Sequence, residues 1–296
     1  MWAYTPQKVR QVPRVKLMEK VSYVYLTRVT DLPYQDMYRL ILVGFLSIAS
    51  LYSYADYSQA ALGETGSFRV TFSAGELFSE AQALEYRRHI SMDTKVSWEI
   101  YVPETYDPNR PAGLITYISP TRSGMVNEYW KNVLREKNLI WIGANKSGNP
   151  QPLMTRAIYA ILGTELMRGD YALDDRRLYV SGFSGGGRMA SWMMSHFSHL
   201  YTGGLYLCGV NVWEDEVVGA KLDRMRERGH VFLTGTRDFN YEDTRNVLRF
   251  FREGGVRHTK FMAIDGMGHA LPDSGALSQA IQYLDQISAR QPNTEN

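Results

Sequence analysis

The chain has 296 residues, a formal charge of +2, and 44 % hydrophobic with 12 % aromatic residues. That length and apolar content suffice for one large α/β core or two small ones. The near-neutral balance, without a basic run or aromatic–basic alternation, excludes a nucleic-acid surface. The single cysteine, Cys208, excludes an intrachain disulfide, and its apolar setting (Gly204 to Val210) makes it a small core hydrophobe rather than a catalytic thiol.

In chain order, residues 1–36 carry Lys8, Arg10, Arg14, Lys16, Lys20 and Arg28 with no amphipathic pattern. The apolar run Leu40 to Tyr52 is shorter than the ~20 residues of a comfortable membrane helix, so no stable membrane span is expected. Arg39 before it and the small-x-small site Ser53-Tyr54-Ala55 after it describe a signal peptide over residues 37–55. On this reading translation starts at Met37, residues 1–36 are a non-native upstream extension or disordered, and a secreted or periplasmic product begins near Asp56. The alternative is an N-terminal extension carrying a short anchor or buried hairpin.

From residue 63 to about 290, strand and helix patterns alternate. Ser67–Phe72 and Ser97–Val102 read as antiparallel strands with one buried face, and Pro103–Pro108 as a turn. Leu114–Ile118 is apolar on both faces, as a central parallel strand is. A helix near Tyr129–Val133, a strand at Leu139–Gly143 and a helix over Thr155–Met167 follow. Further strands fall at Leu178–Val180, Gly203–Leu207, His230–Thr234 and Lys260–Ile264, with helices at Arg245–Arg252 and Ser274–Ile287. Such alternation predicts a single α/β domain with a mostly parallel central sheet and helices on both faces.

Between the strand ending at Val180 and a helix running through Met194 lies Gly182-Phe183-Ser184-Gly185-Gly186. Placed there, Gly-x-Ser-x-Gly reads as a nucleophile elbow rather than a capped glycine turn. A serine on so tight a turn has strained backbone angles, and Gly182 and Gly186 avoid clashes that side chains would make. The helix N-terminus then points N–H groups toward a developing oxyanion.

An elbow serine needs a base and an orienting acid, in the order Ser, Asp or Glu, His. Of six histidines, His269 lies in a glycine-flexed loop after the strand Phe261–Ile264, at the carboxyl end where catalytic loops of parallel sheets sit. His89, His196, His199, His230 and His258 fall at other edges or are carried away along the elbow helix. Asp238, after the strand His230–Thr234, is the first choice for the acid, with Asp243 and Asp265 as alternatives. The oxyanion hole should use Gly185 N–H and an N–H from Ser119-Pro120-Thr121. Pro120 has none to give, so Thr121 is the second donor. Asn145, in the loop after the next strand, either lines the same pocket edge or is an ordinary polar loop residue. No group of His, Cys and carboxylates shows metal-ligand spacing.

Tyr101-Val102-Pro103-Glu104-Thr105-Tyr106-Asp107-Pro108, Asp174 to Gly182 and the Gly-Phe-Ser-Gly-Gly elbow together resemble secreted α/β-hydrolases grouped with polyhydroxybutyrate depolymerases and feruloyl esterases. The resemblance runs from Ser97 to the C-terminal helix. It implies the α/β-hydrolase fold, hydrolysis of a small-molecule or oligomeric ester, a Ser184, Asp238 and His269 triad, and no cofactor. In one respect the chain departs from that group: Ser119-Pro120 stands where those proteins usually show His-Gly. Two other readings stay open. One is a prolyl-oligopeptidase-like peptidase, normally accompanied by a propeller domain for which there is no room here. The other is a non-catalytic relative that binds a ligand or partner in the old pocket.

Overall fold

The computed structural model describes residues 64–290, so the expected signal segment lies outside the described residues. Strand β1 (Gly66–Ser73) leads into short helices α1 (Ala74–Leu77) and α2 (Glu80–Tyr86), then β2 (Lys95–Val102) and β3 (Ala112–Ile118). A 3₁₀ turn (Glu128–Trp130) runs into α3 (Lys131–Glu136), followed by β4 (Leu139–Ala144), α4 (Leu153–Asp170) and β5 (Leu173–Phe183). After the elbow come α5 (Gly185–His196), β6 (Gly203–Leu207), α6 (Ala220–Glu227), β7 (Gly229–Gly235), α7 (Tyr241–Glu253), β8 (Thr259–Ile264) and α8 (Ser274–Ser288).

The eight strands form one sheet in the order β1-β2-β4-β3-β5-β6-β7-β8. β1 pairs antiparallel with β2, and β2 with β4; all later pairs are parallel. This is the α/β-hydrolase architecture expected from the sequence. The inner parallel strands β3, β6 and β7 are buried along their whole length because both faces of the sheet are covered. Leu205, Val231 and Leu233 pack with Leu277, Ile281 and Leu284 of α8, while Tyr206 and Phe232 pack with Met193 of α5 and Phe251 of α7. Each of these side chains is almost wholly buried, which stabilises the fold by about 1.5–3 kcal/mol per large residue.

The order reverses at β3, which has β4 on one side and β5 on the other. Loops leaving β3 and β5 therefore diverge, and the crevice at such a switch point is where ligands bind in open α/β sheets. Ser119–Gly124 and the Ser184 elbow border that crevice.

Candidate active site

Ser184 joins β5 to α5 with φ 54° and ψ −120°, a strained conformation for a residue with a side chain. Its N–H is held by Leu207 O at 2.7 Å. A Cβ at Gly182 would run into Gly186 O and stand 2.7 Å from Ile118 O, and one at Gly186 would collide with Ile118 O. The two elbow glycines thus let the turn press against the end of β3.

His269 follows β8, and its Nδ1 lies 2.9 Å from Asp238 Oδ1. An ionised Asp238 requires the proton on Nδ1, which leaves the Nε2 lone pair as the basic site. The Asp238 side chain has no solvent exposure, whereas that of His269 retains 22 %. Asp238 Oδ1 also accepts from Asn240 N–H at 2.9 Å, and Oδ2 accepts from Thr234 Oγ1 at 2.9 Å. Burial alone would push this carboxyl upward. Hydrogen bonds from Asn240 N–H, His269 and Thr234 outweigh it and hold the group below its ordinary value. The other two carboxylates weighed for this role lie elsewhere: Asp243 is exposed in the first turn of α7, and Asp265 accepts from Thr236 Oγ1.

The dyad has a support that the sequence reading did not include. Phe239 stacks on the imidazole with centroids 4.2 Å apart, and Phe183 lies 4.8 Å away. Asn240 donates to Cys208 O at 2.8 Å and accepts from Arg188 Nη2 at 2.9 Å, tying the loop after β7 to β6 and α5. Cys208 Sγ, Asp238 and His269 group within 4.8 Å, and the thiol donates to Ala270 O at 3.3 Å. Burial, then the Asp238 charge, pushes this thiol up to about 12, so it stays protonated and is no nucleophile. Among the described residues no hydrogen bond joins Ser184 Oγ to His269. Catalytic hydrogen bonds commonly tighten only around bound substrate.

The loops after β3 and β4 are zipped together. Lys146 N–H donates to Arg122 O at 2.8 Å and Asn149 N–H to Pro120 O at 3.0 Å. Buried Arg156 donates to Ser147 O at 2.8 Å and Ser119 O at 3.1 Å. Asn145 takes the structural role left open by the sequence: Oδ1 accepts from Gly124 N–H at 3.1 Å and Nδ2 donates to Glu99 at 2.9 Å. Thr121 N–H, the expected second oxyanion donor, donates to Ser119 Oγ at 3.1 Å.

The remaining histidines lie apart from this edge or serve the core. His230 is fully buried, its Nε2 2.9 Å from Met225 O and its Nδ1 2.7 Å from Tyr206 Oη. His196 stacks on Trp192, and its Nε2 lies 3.5 Å from Glu214. With Glu216 they form a second three-residue group, brought together by folding from positions too far apart for the sequence to display.

No protein-family model matches the chain. No curated protein matches it either. Solved structures do. A ferulic acid esterase is similar over 76 % of this chain and 99 % of its own, with 15 % identity and a TM-score of 0.53. S-formylglutathione hydrolase from Staphylococcus aureus is similar over 76 % and 98 %, with 14 % identity and a TM-score of 0.51. A candidate dipeptidyl aminopeptidase IV from Bacteroides ovatus has 14 % identity and a TM-score of 0.53; 75 % of this chain corresponds to 36 % of that one, so this chain spans about a third of its length. At these identities the likeness establishes the α/β-hydrolase fold and nothing finer.

Proposed function

We propose that the chain is a serine-dependent carboxylic-ester hydrolase acting through an acyl-enzyme. The observation that carries this reading is the strained Ser184 elbow on the same sheet edge as the Asp238–His269 hydrogen bond. Ser184 Oγ attacks the carbonyl carbon while His269 Nε2 takes its proton and returns it to the departing alcohol. Asp238 fixes the tautomer and stabilises the imidazolium. Water, activated the same way, then releases the acid. Gly185 N–H, at the start of α5, receives the oxyanion, and Thr121 N–H serves as second donor only when its bond to Ser119 Oγ opens. Exposed apolar side chains, Met125, Phe239 and Leu271 on loops that follow the strands and Leu153 at the start of α4, favour an ester with an apolar acyl or aryl group. The hydrolase and esterase names among the fold neighbours lend support. Export through residues 37–55 would place the activity outside the cytoplasm. Among the described residues, no helix is long and apolar enough to cross a membrane.

The test is hydrolysis of short p-nitrophenyl esters by the full chain beside Ser184→Ala. Loss of the nucleophile should cost several orders of magnitude in kcat, with about 10⁶-fold as the reference for an intact triad. Wild-type protein that neither turns over nor takes a fluorophosphonate label would overturn the reading and favour a binding role for the pocket. Aminoacyl p-nitroanilides in the same assay address the peptidase reading, which the Bacteroides ovatus neighbour keeps in play.

A further inference from the structure

We infer that the Asn149 carboxamide is the second oxyanion donor, an inference resting on the Ser184 reading. Two donors are needed to make a hole effective, and the loop after β3 offers few. Pro120 has no N–H, and that of Thr121 is engaged with Ser119 Oγ. Asn149, from the loop after β4, stands beside the elbow instead. A Cβ on Gly185 would overlap Asn149 Oδ1 and stand 2.7 Å from Nδ2, so this carboxamide lies against the backbone whose N–H is the first donor. The glycine after the nucleophile is therefore what admits Asn149.

The side chain is set for the role. Asn149 N–H is pinned to Pro120 O at 3.0 Å, on a loop held by Arg156. The residue is exposed, and among the described residues no hydrogen bond occupies its carboxamide. Both amide hydrogens are thus available to a carbonyl oxygen entering the crevice. As Ser184 Oγ bonds to the carbonyl carbon, the π electrons move onto that oxygen and the Ser184 proton moves to His269. The new oxyanion accepts from Gly185 N–H and Asn149 Nδ2. When the carbonyl re-forms, the C–O bond to the alcohol breaks and His269 returns its proton to the leaving oxygen. A donor that meets charge present only in the transition state raises kcat and leaves ground-state binding nearly unchanged.

The experiment compares wild type, Ser184→Ala, Asn149→Ala, Gly185→Ala and the Asn149→Ala/Gly185→Ala double variant on p-nitrophenyl esters. Asn149→Ala should lower kcat on the order of 10²-fold with little change in KM, the size seen when one oxyanion donor is removed. Gly185→Ala keeps its N–H but pushes the carboxamide out, so it should lose a similar factor. The double variant should be no worse than Asn149→Ala, because the new methyl then meets no carboxamide. Inhibition by a boronic acid should weaken in parallel with kcat, a readout that a packing defect would not track. A Ser184-dependent wild type with Asn149→Ala within threefold of it overturns the Asn149 role alone, as does a loss confined to KM or a multiplicative double variant. A wild type inert toward ester and fluorophosphonate overturns the Ser184 reading, and this proposal with it. Should Asn149→Ala fail to fold, Gly185→Ala against wild type decides the same question.

Discussion

The contacts around Asp238 favour the anion: a backbone N–H, a hydroxyl and the His269 ring all donate to a carboxylate that is itself closed to solvent. Replacing it by Asn preserves shape but removes the charge that holds Nδ1 protonated and steadies the imidazolium. Asp238→Asn should therefore fold, keep KM near wild type, and lose kcat on the order of 10³–10⁴-fold in p-nitrophenyl ester turnover. A loss under tenfold would assign the orienting role to another group. At this scale the sequence displays what local geometry dictates. Gly-x-Ser-x-Gly announces the elbow, and loops after the seventh and eighth strands carry Asp238 and His269. It hides what only tertiary contact creates. Phe239, Asn240, Cys208 and Asn149 sit near the dyad or elbow but belong to no motif, although Asn240 closes a short Asx turn on Asp238 that its spacing permits.

Elements, rather than single side chains, set the shape of the crevice. Arg156, from α4, donates to Ser119 O and Ser147 O and so holds the loops after β3 and β4 in one register. Arg156→Ala leaves two carbonyls without this donor, each worth about 1–3 kcal/mol if it stays buried. The denaturant midpoint should fall accordingly. Ester turnover should fall as well, because the Ser119 to Thr121 and Asn145 to Asn149 segments lose their mutual tie. Arg156→Lys should recover only part of both, since an ammonium cannot reproduce the guanidinium fork. Unchanged turnover in a stable Arg156→Ala protein would show that the clamp is dispensable for chemistry. Among the described residues, periodicity locates all eight strands but not every helix. Helices α1 and α2 are short, marked by capping boxes at Ser73 and Ser79 rather than by an apolar stripe. Helix α6 buries just Met225 fully, and five of its other seven residues are charged, so its sequence resembles a solvated loop. β5 also begins earlier than its apolar residues indicate, because Asp174 to Arg177 are exposed or partly exposed strand residues.

At the scale of the molecule, alternation of strands and helices is enough to predict a mostly parallel sheet covered by helices on both faces. The strand order was not legible, since it depends on which neighbours each crossover selects. Nor was the way β6, β7, α6 and α7 converge on one buried histidine. His230 donates Nε2–H to Met225 O and accepts from Tyr206 Oη, and Phe251 meets its ring edge-on at 5.4 Å. Burial drives its pKa down from the ordinary 6.5 to about 4. The folded protein thus resists a proton that the unfolded chain accepts, and unfolding binds protons between these values. Stability from keeping His230 neutral is fully present above pH 6.5 and is lost as pH falls toward 4. The loss amounts to about 3 kcal/mol at 1.36 kcal/mol per pH unit. Asp238, whose folded pKa is depressed, contributes its own loss below this window, as pH falls from the unfolded carboxylate value through the folded one. Denaturant midpoints measured from pH 7.5 to 4 should decline steadily for wild type. His230→Phe should start lower, because Tyr206 Oη and Met225 O lose their partner, and then decline less steeply than wild type over the same range; His199, which burial and then the nearby Arg224 and Lys221 also push down to about 4, keeps its own share of the decline. A variant whose decline parallels wild type would transfer the acid sensitivity to other groups.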